Sequence, residues 1–393
     1  MKVLFISALF PYPLHSGGQV RLFNLLKELS GEHEITLFSF IRSKEEEQYI
    51  AHMPFCPHIR TFLRGHVWQP QYVWKALTSS YPLLVASYDH TEMREAITKE
   101  LQRTQYDCIH IEPFYVYPVL PPTTIPVVVS EHNIEYQVYE KLAQSLPTTL
   151  VQHIGAWDVK KMRKSEEAQW KYATAVTAVS TSDATYIKKR AGEHNVYVVP
   201  NGIDPTYFSY KEQSFDKKTP TFLFVGNFSW KPNEDALRLL MKRYWPRIVE
   251  KFPEATLTVC GKYLSQGLSE ALKQKQVTYL SSVEDIRTLY TTHDILLAPF
   301  TYGGGTKFKI LEAMASGTLV VTTKPGIEGI DAVDREHVLI ADSDESFVSL
   351  ISYAYANAKN MKHITKKARI FVEKTYDWKA IGERLSLVWK KTV

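Results

Sequence analysis

Short apolar runs alternate with helical patterns along the first half of the chain. The run Val3 to Ser7 is continuous and rich in β-branched residues, which is typical of a strand buried on both faces of a parallel sheet. Later runs predict the strands Ile35 to Phe40, Ile59 to Leu63, Asp107 to Glu112, Pro126 to Glu131, Val176 to Ser180 and Val196 to Pro200. Helical patterns such as Asp89 to Arg103 and residues 146–172 separate them. Strands that alternate with helices predict a doubly wound α/β domain.

The same alternation starts again after Pro220. A helix is predicted from about Glu234 to Lys251, with Asn233 as its N-cap. Apolar runs predict the strands Thr221 to Val225, Ala255 to Gly261, Val277 to Leu280, Asp294 to Pro299, Leu319 to Thr323 and His337 to Ile340. A chain of 393 residues is also long for a single hydrophobic core. We therefore predict two Rossmann-like domains, residues 1–204 and 205–375, with a polar linker that runs up to Pro220.

Composition and charge narrow the classes of function. Hydrophobic residues make up 45% of the chain and charged residues 23%, which is ordinary for a globular protein and argues against disorder. The net charge of +5 falls in the second half of the chain without forming a dense cluster. A mild, scattered excess favours a small anionic ligand, whereas nucleic acid would need a concentrated basic face. We therefore expect no nucleic-acid partner.

One dense basic run, Lys160 to Lys164, precedes Glu166 and Glu167 in a helical pattern. A solvated helix face explains this run, and attraction to anionic lipid is the alternative. Peripheral association with the inner face of a membrane therefore stays open.

Cysteine usage and the N-terminal residues indicate the compartment. The three cysteines, Cys56, Cys108 and Cys260, are far apart and show no CxxC spacing, which argues for a reducing compartment and against a zinc site. Pro11 and Pro13 interrupt the apolar N-terminal run, and no stretch reaches the ~18 apolar residues of a membrane span. We expect a cytoplasmic protein without a bound metal.

The stretch from Phe300 to Val321 is the most informative part of the chain. Three glycines lead into a helical pattern, and Gly317 ends that helix before a β-branched run. Lys307 and Lys309 lie at the start of this helix, where the helix dipole disfavours a cation by roughly 0.3–1 kcal/mol each. A bound phosphate would reverse this sign, because free backbone N–H groups and two ammonium groups would both face it. A solvated, mildly unfavourable helix start is the alternative.

Two other features mark candidate binding positions at strand ends. Gly17 and Gly18 stand between the first strand and a helix, where a backbone can approach phosphate closely, although a tight turn explains two glycines about as well. His132 follows the buried run 127–129, and ligands of open α/β sheets collect at such strand ends. A structural histidine that closes the strand end is the alternative.

Acidic residues near the end of the chain have both structural and functional interpretations. Glu312 lies one helical turn after Lys309, where it could form a surface ion pair or accept hydrogen bonds from the two ribose hydroxyls of a nucleotide. Asp342 and Asp344 match the DxD spelling of metal-bound nucleotide sites, but capping of the next helix explains them better. No P-loop, HExxH or nucleophile-elbow motif occurs, which argues against the corresponding hydrolases.

Three segments resemble a known family. They are VYVVPNGIDPTYF, FLFVGNFSWKPNEDAL and APFTYGGGTKFKILEAMASGTLVVTT, and they look like segments of the retaining nucleotide-sugar glycosyltransferases of the GT-B fold, of the glycosyltransferase family 4 or group 1 type. The resemblance runs over nearly the whole chain. It implies two Rossmann-like domains that face each other across a cleft, with the last helix, residues 376–393, crossing back to the first domain.

The resemblance also implies the chemistry. A nucleotide-sugar donor, expected to be a UDP- or GDP-sugar, would bind mainly to the second domain as co-substrate, with no metal or other cofactor. A sugar, glycolipid or other hydroxyl acceptor would bind to the first domain. The implied activity is transfer of a hexosyl group with retention at the anomeric carbon, in the biosynthesis of a glycan, cell-surface polysaccharide or glycolipid. A catalytically silent nucleotide-sugar-binding relative and a GT-B-fold sugar-nucleotide epimerase are the alternatives.

Site residues carry over from the family position by position. Gly18 would give backbone N–H groups to the donor phosphates, and His132 would lie beside the donor sugar. Lys231 resembles the phosphate-binding lysine of the family, and Glu312 resembles the carboxylate that binds ribose. The donor site implied around them also includes Gly17, Asn227, Lys262, Val283, Gly304, Gly305 and Thr306.

Two positions depart from the family pattern. The family often shows two glutamates eight residues apart, and the first of them falls on Gly304, so that a carboxylate contact to the sugar is missing. The arginine that is common just after the VG turn is replaced by Asn227. We therefore expect Lys307 to supply the missing cation on the diphosphate, as a third catalytic residue beside His132 and Lys231.

Overall fold

A computed structural model describes residues 1–144, 146–192, 195–215, 219–302 and 305–393 of the chain. The described chain divides into two compact units, Met1–Pro200 with Ile381–Val393, and Asn201–Ala380. The second unit therefore begins earlier in the chain than the predicted residue 205. Phe208 and Phe215 are buried in its core, so the segment predicted as a polar linker contributes to this unit.

A parallel sheet forms the centre of the first unit. In the described part of this unit its seven strands are β1 (Lys2–Ser7), β2 (Glu34–Ile41), β3 (His58–Leu63), β4 (Cys108–Glu112), β5 (Val127–Glu131), β6 (Ala175–Ala178) and β7 (Asn195–Val198). Their order in the sheet is β3-β2-β1-β4-β5-β6-β7. The chain thus adds strands on one side of β1 and then on the other, and the switch point where ligands of such sheets bind lies between β1 and β4. At this point Ser7 pairs with Glu112, the last residue of β4.

Helices cover the sheet of the first unit. They are α1 (Gly17–Leu29), α2 (Pro70–Thr78), α3 (Leu83–Ala86), α4 (Thr91–Arg103), α5 (Glu135–Gln144), α6 (Thr149–Tyr172) and α7 (Thr181–Ala191), with 3₁₀ helices at Lys44–His52 and Phe114–Val119. α5 was not predicted, because it buries few apolar side chains, among them Tyr136 and Ala143. Thr148 caps α6 by accepting a hydrogen bond from the backbone N–H of Val151, which sets the start of that helix.

The second unit repeats the architecture of the first. In its described part the parallel sheet has six strands, β8 (Thr221–Val225), β9 (Thr256–Cys260), β10 (Val277–Leu280), β11 (Ile295–Ala298), β12 (Leu319–Thr323) and β13 (Leu339–Ala341). Their order is β10-β9-β8-β11-β12-β13. The switch point of this sheet therefore lies between β8 and β11. The loops that follow these two strands carry Asn227, Gly305 and Thr306, three of the residues predicted to bind the donor.

Helices also surround the second sheet. They are α8 (Lys231–Leu239), α9 (Trp245–Lys251), α10 (Gln266–Ala271), α11 (Ile286–Thr292), α12 (Phe308–Ser316), α13 (Lys324–Ile327), α14 (Asp344–Ala356) and α15 (Ala358–Thr375), and α16 (Trp378–Thr392) follows α15 in the chain. A π-helical turn at Leu240–Tyr244 joins α8 to α9, where one continuous helix was predicted. Pro246 has no backbone N–H to continue the α-helical pattern, which accounts for an interruption just before it.

The predicted N-cap of α8, the first helix of the second unit, is wrong. The helix begins at Lys231 with Trp230 in the cap position, so Asn233 lies inside its first turn. Pro232 follows Lys231, and proline is well suited to the start of a helix because the first N–H groups have no partner within it. Asn233 is therefore available for contacts with other elements.

The last helix returns to the first unit, as the resemblance predicted. α16 begins in the second unit, and its residues from Ile381 onward belong to the first. Trp389 is fully buried there, and its indole N–H donates to Nδ1 of His110 on β4 at 3.1 Å. Within the described segments, every helix is too short or too polar to span a bilayer.

Candidate functional site

The start of α12 lies at the switch point of the second sheet. Lys307 is its N-cap residue, and the Lys307 side chain makes no capping hydrogen bond to this helix start. The ammonium group of Lys307 donates to the backbone oxygen of Gly305 at 3.2 Å and lies 5.7 Å from the centre of the Phe300 ring. Only 4% of Lys307 is exposed. A buried cation beside the first N–H groups of a helix is a suitable partner for an anion.

Asn233 links the loop after β8 to the first turn of α12. Its side-chain Nδ2 donates to the backbone oxygen of Asn227 at 2.7 Å, and its Oδ1 accepts from Nζ of Lys309 at 2.7 Å. Burial lowers the pKa of Lys309 to about 7, the charge of Glu312 opposes this shift, and the charge of Lys307 adds to it. Lys309 is thus held inside the switch point, and its interpretation as half of a surface ion pair is wrong.

Glu312 is fixed by a tyrosine. The hydroxyl of Tyr290, on α11, donates to Oε2 of Glu312 at 2.6 Å. Burial raises the pKa of Glu312, whereas the Tyr290 hydrogen bond and the charge of Lys309 act in the opposite direction. The carboxyl group therefore has a defined orientation one to two turns from the start of α12, as a ribose ligand would need.

Lys231 is the most exposed of the three predicted catalytic residues. Its ammonium group forms ion pairs with Asp235 and, at 3.7 Å, with Glu234, and 61% of its side chain is exposed. The hydroxyl of Tyr302, from the loop after β11, donates to Oδ2 of Asp235 at 2.5 Å. This chain of contacts is a second link between the loops after β8 and β11. Part of the positive charge of Lys231 is already compensated.

The remaining predicted donor residues lie along the same edge of the sheet. Thr306 follows Gly305 and donates its hydroxyl to the backbone oxygen of Gly329 at 3.2 Å. Lys262 follows β9, and its backbone oxygen accepts from the N–H of Phe228 at 2.9 Å. Val283 follows β10, farther from the switch point. Gly304 lies outside the described residues.

In the first unit the predicted residues Gly18 and His132 lie close together. Ser16 caps α1 by accepting from the backbone N–H of Gln19 at 3.4 Å, which places Gly17 and Gly18 in the first turn. A Cβ atom added to Gly18 would lie 3.9 Å from both Nδ1 and Cε1 of His132. The glycine therefore leaves open the space between the helix start and one edge of the imidazole.

The sequence did not identify Glu112 as a site residue, although it lies against His132. Its Oε1 accepts from Nε of Arg21 at 2.8 Å and from Nε2 of His132 at 2.5 Å. Burial alone would raise the pKa of this carboxyl group, but the Arg21 guanidinium and the hydrogen bonds from His110 and His132 hold it well below its usual value. Glu112 is the last residue of a predicted buried strand, and His132 was identified because it follows such a strand. The same rule about strand ends could therefore have identified Glu112.

The DxD motif lies at the start of α14, where helix capping was predicted, and the capping residue is the serine between the two aspartates. Ser343 caps α14 through its side chain. Asp344 bonds to Arg243 and to the hydroxyl of Tyr244, and Asp342 lies 3.2 Å from the ammonium group of Lys324. Each carboxylate therefore already has a cation beside it.

Solved structures share this architecture. Sucrose-phosphate synthase from Thermosynechococcus elongatus has a TM-score of 0.74 at 17% sequence identity, over 100% of this chain and 99% of that chain. HepE from Anabaena, solved in complex with UDP-glucose, has a TM-score of 0.66 at 15% identity, over 100% of both chains. With its two parallel sheets and surrounding helices, the protein has the two-domain α/β fold of the GT-B glycosyltransferases.

Family models place the chain more narrowly. Residues 15–207 match the model described as Glycosyltransferase Family 4, and residues 219–357 match the model described as Glycosyl transferases group 1. The two matches together span most of the chain, which belongs to the glycosyltransferases of this type. An uncharacterized 44.6 kDa protein in the cps region of Klebsiella pneumoniae is 25% identical to it over 97% of each chain.

Proposed function

We propose that the protein transfers a hexosyl group from a nucleotide-diphosphate sugar to an acceptor hydroxyl, with retention at the anomeric carbon and without a metal ion. The observation that carries this proposal is the cluster of three lysines at the switch point of the second sheet. Lys307 and Lys309 are held there by Gly305 and Asn233, and Lys231 lies across the loop pair. Lys231 and Lys307, with Lys309 in its protonated form, would stabilise the charge that develops on a diphosphate leaving group.

Glu312 and the start of α12 would bind different parts of the nucleotide. The start of α12 and Lys307 suit a diphosphate, and the carboxyl group oriented by Tyr290 suits the two ribose hydroxyls. We propose that Gly17 and Gly18 contact the donor phosphates and that His132 lies beside the donor sugar. Attack of the acceptor on the leaving-group face is the corresponding retaining mechanism.

UDP is the nucleotide we favour for the donor, with GDP as the alternative, because HepE was solved with UDP-glucose. The proposed acceptor is a sugar, glycolipid or other hydroxyl compound of glycan or cell-surface polysaccharide biosynthesis. We place the protein in the cytoplasm, with peripheral association at the inner face of the membrane when the acceptor is a lipid. Metal independence is supported by Asp342 and Asp344, which are paired with cations of the chain.

A silent nucleotide-sugar-binding relative is the second candidate. The family's first glutamate is Gly304 in this sequence, which removes a carboxylate contact to the sugar. Binding without turnover is the behaviour that this substitution would explain.

A thermal-shift panel of UDP, GDP, ADP and their sugars tests the proposal. A bound donor raises apparent stability in proportion to ln(1 + [L]/Kd), so we expect one nucleotide series to raise the melting temperature with and without EDTA. No shift with any nucleotide contradicts the donor site. Binding without release of nucleotide in the presence of acceptor extracts favours the silent relative, and epimerisation of the donor without an acceptor favours the epimerase.

A further inference from the structure

The carboxylate of Glu112 gathers three nitrogen donors at the switch point of the first sheet. Glu112 is fully buried. Its Oε1 accepts from Nε of Arg21 and from Nε2 of His132, and its Oε2 accepts from Nε2 of His110 at 3.0 Å. These donors come from α1, from the loop after β5 and from β4 itself. One side chain therefore connects the helix that begins at Gly17 with the predicted catalytic histidine.

A hydrogen bond from the last helix determines which ring nitrogen of His110 carries the proton. The indole N–H of Trp389 can only donate, so Nδ1 of His110, 3.1 Å away, must accept. Burial lowers the pKa of His110, which favours the neutral ring, and its single proton is then on Nε2. His110 consequently donates to Glu112, and Oε2 of the carboxylate cannot turn away without breaking this bond.

Arg21 holds the other oxygen. Its Nη1 donates to the backbone oxygens of Val199 and Pro200 at 3.1 and 2.9 Å, so the guanidinium group is itself anchored at both ends. An ionised carboxylate offers only acceptors. His132 must therefore present a protonated Nε2 to Glu112, and the ring edge formed by Nδ1 and Cε1 faces Gly18.

We propose that Glu112 is a positioning residue for His132, which it holds by the Nε2 proton so that Nδ1 faces the start of α1. The inference rests on the proposed function, because His132 is there the group beside the donor sugar. Nδ1 is then the atom that exchanges hydrogen bonds with a sugar hydroxyl. His132 keeps 17% of its side chain exposed, whereas Glu112 is fully buried and acts through the imidazole.

A simpler role for Glu112 is to neutralise the buried Arg21. A double-mutant cycle separates the two roles, because an effect exerted through His132 disappears when His132 is absent. The variants are Glu112→Gln, His132→Ala and the double substitution. The matched control is Glu131→Gln, since Glu131 is also buried, ends the neighbouring strand β5 and accepts from the indole of Trp170 at 2.7 Å.

We expect Glu112→Gln to lower kcat for nucleotide release by about 10- to 100-fold, with a much smaller change in KM for the donor. In the His132→Ala background the same substitution should change kcat by less than about twofold. Glu131→Gln should leave kcat unchanged. An equal loss in both backgrounds, or no loss in either, overturns the positioning role.

The protonation of His132 can also be read without removing Glu112, which matters if loss of the Arg21 partner prevents folding. In a long-range ¹H–¹⁵N spectrum of the full chain labelled with ¹⁵N-histidine, with His132→Gln for assignment, the neutral ring of His132 should carry its proton on Nε2. A form with a proton on Nδ1 and a bare Nε2 overturns the inference. Absence of donor turnover in the wild type contradicts the proposed function, while the spectrum still decides the role of Glu112.

Discussion

Lys307 is the residue on which the proposed diphosphate site depends most. It is nearly fully buried at the N-terminus of α12, whereas the charge of Lys231 is shared with Asp235. We predict that Lys307→Ala weakens binding of the donor nucleotide about 10- to 100-fold, as expected for loss of a hydrogen bond from a charged group worth ~1.5–3 kcal/mol. Isothermal titration calorimetry with UDP and GDP measures this change.

Two variants control that measurement. Lys307→Arg keeps the charge and should retain most of the affinity, because guanidinium also binds phosphate well. Lys273→Ala removes an exposed lysine that pairs with Glu270 and should leave affinity unchanged. If Lys307→Ala binds the nucleotide normally while Lys231→Ala abolishes binding, the role given to Lys307 is wrong.

Lys309 should make the free energy of unfolding depend on pH, and the sign of this dependence follows from its pKa. Its pKa falls from 10.5 to about 7 on folding, so between these values the unfolded chain binds more protons at this residue than the folded chain. The contribution of Lys309 to the free energy of unfolding therefore rises with pH across this window. The stability difference between wild type and Lys309→Met, measured by urea unfolding at pH 7, 8 and 9, should shift in favour of the wild type as pH rises. Parallel pH profiles would count against the buried position of Lys309.

Local motifs in the sequence identified candidate site residues, but they did not show which residues those candidates contact. Lys307, Lys309 and Glu312 were found because they share one segment, and His132 because it follows a buried strand. The Lys309–Asn233 bond joins residues 76 positions apart and the Arg21–Glu112 pair spans 91. Contacts at such separations depend on strand order, which local pattern does not specify.

At the scale of elements, apolar runs predicted the strands well because both sheets are parallel and covered by helices. β4 and β5 are buried along their whole length, and such strands appear as unbroken apolar segments. Helices were less predictable where tertiary contacts replace an apolar stripe, as in α5, or where a proline shifts the hydrogen bonding, as in the turn Leu240–Tyr244.

Gly317, at the end of α12, has a conformation and a close backbone contact that a substitution can test. Gly317 has a φ of +84°, and a Cβ atom there would lie 2.4 Å from the backbone oxygen of Lys211. We predict that Gly317→Ala lowers the melting temperature by about 3–10 °C, since strain at such positions costs of order 1–3 kcal/mol. Gly267→Ala is the control, because a Cβ atom on Gly267 meets open space within a helix. Equal melting temperatures for the two variants would contradict the packing at Gly317.

At the scale of the molecule, the stability of the first unit depends on residues of the last helix as well as on residues 1–200. Leu385 is fully buried in this unit, whereas Leu387 is 56% exposed on the same helix. We predict that Leu385→Ala lowers the free energy of unfolding by about 2–5 kcal/mol and that Leu387→Ala changes it by no more than about 0.5 kcal/mol. Urea unfolding monitored by tryptophan fluorescence compares them. A similar small effect of both substitutions would show that α16 does not pack as described.

The two-domain organisation was predictable from the repeated alternation of strands and helices, but its boundaries were not. The chain passes into the second unit at Asn201 and returns at Ile381, and both points lie within segments whose side chains pack on one unit or the other. Isolated aromatic residues such as Phe208 and Phe215 anchor such segments without producing an apolar period.

Release of nucleotide from a donor panel tests the central claim most directly. The wild type is incubated with UDP-, GDP- and ADP-sugars, with and without simple hydroxyl acceptors and cell-envelope glycolipid extracts, and free nucleoside diphosphate and new glycoside are quantified. The account predicts that one nucleotide series is turned over, that glycoside forms with the anomeric configuration of the donor, and that Lys307→Ala reduces the rate. Binding of a nucleotide-sugar with no release of nucleoside diphosphate under any of these conditions would contradict it.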